Sequence, residues 1–299
     1  MSINLIALIS AMLVIATPLV WAAIGELVIE KTGILNLGIE GTMVAGAFVA
    51  FVVADMTGSP WIGLLAAIGA GVGAGLLMGL LAVTLGQNQH VSGLGITLLL
   101  IALCEFTFRV QYGGQRPRLA NKFHTMANGG GILEQHWMTY VGFLVLAPLT
   151  WWILRSTGIG YRLHAVGESF DAAEVAGISV NKTRYLALVV GSALMAVGGS
   201  FLTLSVLGTY TLDIINGRGW VCVALVIFAT WRVWRVVAGA LLFAFADALQ
   251  LQLAITDAFS AVPREVMLAL PYLAVIAALA IWGRSVRYPT HYLKAYRRG

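Results

Sequence analysis

The sequence predicts an all-α polytopic membrane protein: one domain over residues 1–299, a compact bundle of about nine spanning helices (eight to ten). Three observations predict it. The 299 residues are 60% hydrophobic and only 10% charged, where a water-soluble domain carries about 25%. Residues 1–25, 56–104, 135–154, 185–212 and 266–283 contain no Asp, Glu, Lys or Arg. A spanning helix takes about 20 mostly apolar residues, so the run from 56 to 104 holds two. None of these runs shows the period-2 alternation of a barrel strand, and a bilayer offers open backbone no partner.

In chain order the windows are about 5–25, 36–54, 60–85, 91–108, 137–154, 185–206, 220–233, 236–255 and 266–283. The first has no basic n-region before it and is read as a span rather than a cleaved signal. Glycines at 33 and 38 permit a break before the second, which would add a segment and move the N-terminus to the other side. Ala67, Gly71, Gly75 and Gly79 recur every fourth residue in the third window, as do Gly38, Thr42, Gly46 and Ala50 in the second. Small residues at that spacing let helix backbones approach closely, which predicts a tight bundle.

Basic residues set the orientation. The tail holds Arg284, Arg287, Lys294, Arg297 and Arg298 without an acid, which places the C-terminus in the cytoplasm. Counting back puts Arg155, Arg162, Lys182, Arg184, Arg232, Arg235 and Lys31 inside as well, twelve of the 18 basic residues. Arg109, Arg116, Arg118, Lys122, Arg218 and Arg264 fall outside, and the cluster at 109–122 fits this scheme poorly.

An ionised group at the bilayer centre costs about 2.5–3.5 kcal/mol, so acids at membrane depth face protein or a watery path. Glu40, Glu105 and Asp247 are the candidates, with Glu105 near the end of its window. Asn36 lies four residues before Glu40, so one helix would carry both on one face. Such a face either glues helices together or lines and gates a passage. Asp247 shares a face with Gln250. The uncharged polar stretch "GQNQHVSG" at 86–93 is either a short turn or part of a polar vestibule.

The cytoplasmic loop 155–184 is the one stretch that reads like soluble structure. Ser169 suits a helix N-cap, Asp171 the first turn, and Gly177 the stop, which predicts about two turns over Phe170–Ala176. That helix carries Asp171 and Glu174 but no Lys or Arg, so it suits a partner's groove better than a lipid surface.

Motifs for chemistry are missing. There is no P-loop, since Asn181 stands where "NKT" would need glycine, and no H-E-x-x-H. The five histidines have no metal-ligand spacing, Cys104 and Cys222 read as small buried side chains, and a net charge of +5 does not point to nucleic acid.

The stretches "GILNLGIEGTMVAGAF" and "RLHAVGESFDAAEVAGISVNKTRY" resemble permeases of ATP-binding-cassette importers. The branch is that of branched-chain amino acids, ribose-type sugars and nucleosides, and within it the nucleoside-type (basic membrane protein-associated) permeases. The pattern is met by Gly33, Leu35, Asn36, Gly38, Glu40, Gly41 and Met43, and by Asn88, Gln89, Val91, Ser92 and Gly93. The coupling segment is met by Ala165 to Glu168, Ala172, Ala173 and Ala176 to Ile178; Ser169, Phe170 and Asp171 replace the usual Asn-Pro. "GRGWVCVALVIFATW" and "ADALQ" continue the resemblance, over about 30–255.

The resemblance implies a permease subunit, not an enzyme, in a multi-pass position in a bacterial inner membrane, importing a small polar solute such as a nucleoside or nucleobase. Its implied partners are a second, non-identical permease, a cytoplasmic ATPase, a soluble or lipid-anchored substrate-binding protein, and membrane lipid. ATP and Mg would sit on the ATPase, and no cofactor or metal on this chain. Asn36, Glu40, Gly41, Asn88, Ser92 and Asp247 would line or gate the pathway. Gly167, Glu168, Phe170, Asp171, Ala172, Ala173, Ala176 and Gly177 would couple to the ATPase. The alternative is a self-sufficient secondary transporter or channel using Glu40 and Asp247 for ion coupling.

Overall fold

The computed structural model describes residues 4–113, 115, 117–126, 131–254, 264–282, 290, 293 and 296. Arg116 and the tail cations Arg284, Arg287, Lys294, Arg297 and Arg298 lie outside the described residues. In chain order the helices are α1 Leu5–Glu30, α2 Ile39–Thr57, α3 Pro60–Gly79, α4 Gln89–Tyr112, α5 Trp137–Tyr140 and α6 Ala147–Ser156. They continue with α7 Gly158–Glu168, α8 Phe170–Val175, α9 Val180–Phe201, α10 Arg218–Phe228, α11 Val233–Leu253 and α12 Arg264–Trp282. π-helical stretches extend α3 through Thr84, join α5 to α6, and extend α9 through Leu207.

Seven helices among the described residues are long and apolar enough to cross a membrane: α1, α2, α3, α4, α5–α6, α9 and α11. The chain is a multi-pass membrane protein. The expected span at 220–233 is corrected. Its helix, α10, has 11 residues, about 16 Å at 1.5 Å per residue, half of a hydrocarbon core. It begins at Gly217 (φ 80°) and ends where Thr230 and Trp231 turn left-handed (φ 50° and 55°). A buried irregular segment containing Tyr210, Ile214 and Ile215 leads into it.

A second correction concerns Asn36 and Glu40. Helix α2 starts only at Ile39, with Gly38 as its N-cap, so Asn36 is not on the helix that carries Glu40. The chain breaks at residues 31–38, where Gly33 takes φ 81°. Helix α1 in turn runs past the expected end at residue 25 to Glu30 and buries Glu26 and Glu30.

Helix α9 is the axis of the bundle, packed against α1, α2 and α3. The predicted small-residue rows make these contacts. A Cβ on Gly71 would lie 2.5 Å from the Ser192 carbonyl, and one on Gly46 2.3 Å from that of Ala196. Cys104 and Cys222 are free and buried.

The two ends of the bundle differ. At one end Lys31, Arg155, His164, Arg232 and Arg235 surround one cavity, and Arg184 donates to the Thr32 carbonyl at 3.3 Å. At the other, the backbone N–H groups of Leu119 and Phe123 donate to the carbonyls of Gly208 and Leu204, each at 2.8 Å. Lys122 reaches the Val206 carbonyl there, and Trp61, Phe123 and Trp137 pack together. Lys122 therefore lies at the end of the bundle opposite Lys31 and Arg232.

Candidate functional site

The site is built on two breaks in helical structure that meet inside the bundle. The first is the non-helical segment 31–38. Its buried backbone needs partners and finds side chains of α1 and α4. Gln89 Oε1 accepts from the Leu35 N–H at 3.0 Å, and Glu26 Oε1 from the Asn36 N–H at 2.9 Å. The Thr97 hydroxyl donates to the Leu37 carbonyl at 2.8 Å. Asn36 Oδ1 accepts from the Gly38 N–H at 3.0 Å, a local turn that starts α2. Gly41 gives α4 room, since a Cβ there would lie 2.6 Å from Thr97 Cα.

The second break is the start of α10. Glu40, 6% exposed, spans it from α2. Its Oε1 accepts from the Gly217 N–H at 2.8 Å and its Oε2 from the Gly219 N–H at 2.7 Å. A half-helix leaves unpaired N–H groups and a partial positive charge at its N-terminus, and a carboxylate satisfies both. Gly219 allows the approach, because a Cβ there would sit 2.6 Å from Glu40 Oε2. Between them lies Arg218, whose Nη2 is 3.7 Å from Asp247 Oδ2 on α11. Both ends of this ion pair are part-exposed, 27% and 18% by side chain. The Tyr272 hydroxyl on α12 donates to the Asn216 carbonyl at 3.0 Å.

Of the pathway candidates, Asn36, Glu40 and Gly41 belong to these breaks, and Asp247 joins them through Arg218. Asn88 and Ser92 stand apart, lining a cavity of about 400 Å³ between α3 and α4. Asn88 is the N-cap of α4, its Oδ1 accepting from the His90 and Val91 N–H groups.

Within the segment 165–177, α8 (Phe170–Val175) is the expected short helix, following the end of α7 at Glu168. Ser169 Oγ accepts from the Ala172 N–H at 3.2 Å, and Gly177 stops the helix at φ 76°. Gly167, Phe170 and Ala173 turn inward, whereas Glu168, Asp171, Ala172, Ala176 and Gly177 are exposed. Phe170 packs under Arg184, whose guanidinium carbon is 4.4 Å from the ring centre. Gly167 lies against the Lys31 carbonyl, which a Cβ would approach to 2.3 Å.

Sequence reasoning missed Glu26, Glu30, Gln89, Arg184 and Arg218 as site residues. Glu26 and Glu30 are both fully buried, Glu30 Oε2 accepting from Trp231 Nε1 at 2.7 Å. Their i, i+4 spacing was a legible signal once α1 is continued to residue 30. Among the described residues no group of three or more His, Cys, Asp or Glu could hold a metal ion.

The family described as branched-chain amino acid transport system / permease component matches residues 8–279. The putative glucose ABC transporter permease protein TsgC13 of Haloferax volcanii is 35% identical over 254 residues, covering 82% of this chain and 77% of that one. The guanosine ABC transporter permease protein NupQ of Bacillus subtilis is 30% identical, covering 91% of this chain and 90% of its own. The nucleoside ABC transporter permease protein NupC of Lactococcus lactis is also 30% identical, with 92% of each covered. No solved structure matches the chain.

Proposed function

The chain belongs to the branched-chain amino acid transport system permease family, and from that premise we propose that it forms the passage of an ATP-driven importer for a nucleoside or nucleobase-like solute. The solute class rests on the near full-length similarity to the guanosine and nucleoside permeases. One observation carries the passage: Glu40 holds the N-terminus of the half-helix α10, with the part-exposed Arg218–Asp247 pair beside it. Ionised groups at that depth favour a watery path over lipid. The nearby Tyr272 ring and the ion pair together suit a planar, hydrogen-bonding solute.

In this reading the end bearing Lys31, Arg155, Arg184 and Arg232 is cytoplasmic, with the C-terminus, by the positive-inside rule. Leu293 N donates to the Gly33 carbonyl there at 2.9 Å, in keeping with an inside tail. The loop 155–184 docks on the ATPase through the exposed face of α8. Phe170 and Ala173 are the inner anchors of that coupling helix, and Gly167 its fulcrum. ATP and Mg act on the ATPase. A binding protein delivers solute at the opposite end, and a second, non-identical permease completes the passage.

Ion coupling through Glu40 and Asp247 is disfavoured, because both Glu40 oxygens are held by backbone donors and Asp247 is paired with Arg218. The test is uptake of labelled guanosine into proteoliposomes holding this chain and its partners. Uptake requiring ATP and the binding protein is expected; uptake by this chain alone along an ion gradient would overturn the reading.

A further inference from the structure

At the end of the bundle that carries Lys31, three helix ends converge on a cavity of about 540 Å³. Lys31 caps α1, Arg155 lies in the last turn of α6, and Arg232 caps α11, with Arg235 one turn on. None of these four cations makes an ion pair among the described residues. Lys31 Nζ instead meets His164 Nε2 at 3.1 Å. His164 Nδ1 faces the Gly160 carbonyl at 2.8 Å, and a carbonyl only accepts, so the imidazole proton is on Nδ1 and Nε2 receives the lysine. Burial first, and then the Lys31 charge, hold His164 below its ordinary pKa against the opposing pull of the Gly160 carbonyl and Glu168, so it adds no competing charge near neutrality. The acid felt at Lys31 is Glu168, which accepts from Thr290. The cavity is thus left with an excess of positive charge.

Its rim is aromatic. Trp151 and Trp234 are exposed there, and Arg155 stands over the Trp151 ring at 5.4 Å. Tryptophan beside arginine where spanning helices end is the arrangement of a membrane–water interface. A second, apolar groove of about 350 Å³ adjoins it, lined by Leu149, Ile153 and Leu154 of α6 and Val190 and Leu194 of α9. Leu154 borders both spaces, so a basic-aromatic cavity opens beside a strip fit for hydrocarbon.

We infer that this pair of spaces binds an anionic phospholipid, its phosphate among Lys31, Arg155, Arg232 and Arg235 and an acyl chain along α6 and α9. Charge complementarity selects the headgroup: basic pockets between spanning helices attract anionic lipids, each Lys or Arg adding severalfold to affinity. The apolar groove selects a lipid over a soluble phosphate. The inference needs only that the chain spans a membrane, and does not depend on the solute carried.

The test uses the assembled transporter, stripped of lipid in detergent and returned to nanodiscs of phosphatidylcholine with a minor fraction of phosphatidylglycerol. Bound lipid is read by native mass spectrometry. Preferential retention of phosphatidylglycerol is expected, with an Arg155→Gln/Arg232→Gln variant lowering it roughly tenfold or more. Leu186→Trp fills the apolar groove from an exposed position and keeps every cation, so it lowers retention without touching the headgroup site. Equal retention of the two lipids, no retained lipid in the assembled complex, or unchanged retention in both variants would overturn the inference. Displacement of the lipid by millimolar inorganic phosphate would overturn it in favour of a soluble anion.

Discussion

Arg184 stacks on Phe170, its guanidinium carbon 4.4 Å from the ring centre, while its Nε donates to the Thr32 carbonyl at 3.3 Å. One buried side chain thus joins the short helix α8 to the start of the non-helical segment that holds Asn36 and leads to Glu40. If α8 is the coupling helix proposed above, a push on it would reach that segment through Arg184. Arg184→Lys keeps the charge but loses the planar stack and the Nε donor. We expect assembly with the ATPase to survive and solute uptake per ATP hydrolysed to fall about tenfold, a loss near 1.4 kcal/mol of coupling. Parallel uptake and hydrolysis measurements check it; unchanged stoichiometry would show that the signal travels elsewhere.

Glu40 presents two charged acceptors to two N–H groups, and Glu40→Gln can offer only one oxygen. The amide NH2 then faces a backbone donor, leaving one N–H of the α10 start unpaired inside the bundle. A buried donor left unmade costs about 1–3 kcal/mol. The variant is expected to melt earlier in detergent and to lose most uptake. Retained melting temperature and retained uptake together would show that α10 does not need the carboxylate.

Glycine positions give a contrast within one chain. A Cβ on Gly219 would meet Glu40 Oε2 at 2.6 Å and Glu40 Cα at 2.7 Å, and backbone at that range cannot step aside. Gly69 and Gly73 on α3 have nothing within 4 Å of an added Cβ. Gly219→Ala should cost about 1–3 kcal/mol by overpacking. Gly69→Ala and Gly73→Ala should be neutral or slightly stabilising through helix propensity, by under about 1 kcal/mol each. Melting temperatures of the three variants decide it, and a Gly219→Ala variant as stable as the others would refute the close contact.

Hydropathy sufficed for the bundle, because an apolar run of spanning length has one solution in lipid. It misread α10, whose residues are as apolar as a span but whose ends are set by left-handed turns at Gly217 and at Thr230–Trp231. It also placed Asn36 and Glu40 on one helical face. Periodicity cannot see that Asn36 turns back on Gly38, or that Glu26 and Gln89 pair with the unwound backbone across 10 and 54 residues. The polar pattern marked the stretch where the helix breaks; the bonds that hold its side chains come from distant segments such as 217–219. Arg184 and Arg218 were counted for their charge and sidedness, and that count said nothing of their burial or partners.

The exposed face of α8 is the next point of test. Val175 is 91% exposed at the end of a helix whose Phe170 and Ala173 are buried, so its side chain does nothing for the fold of this chain. An apolar group held out in that way fits a partner's groove. Val175→Glu should leave expression and melting temperature of the permease unchanged and weaken ATPase capture in pull-down at least tenfold. Undiminished capture would move the docking surface off α8.

The Lys31–His164 contact makes stability sensitive to pH in a predictable direction. Burial first, and then the Lys31 charge, lower the His164 pKa from its ordinary 6.5. The unfolded chain therefore takes up the proton before the folded one does, and stability falls as pH drops below about 6.5. Above that value the contribution is fully present. Protonation would also put a hydrogen on Nε2, facing the Lys31 ammonium, and the 3.1 Å contact would open. His164→Gln supplies an acceptor that does not titrate in this range. The melting temperature of the wild type minus that of His164→Gln should be constant from pH 8 to about 6.5 and decline towards pH 5.5. A difference that is flat through the whole range, or that grows on acidification, would mean that His164 is not held neutral against Lys31.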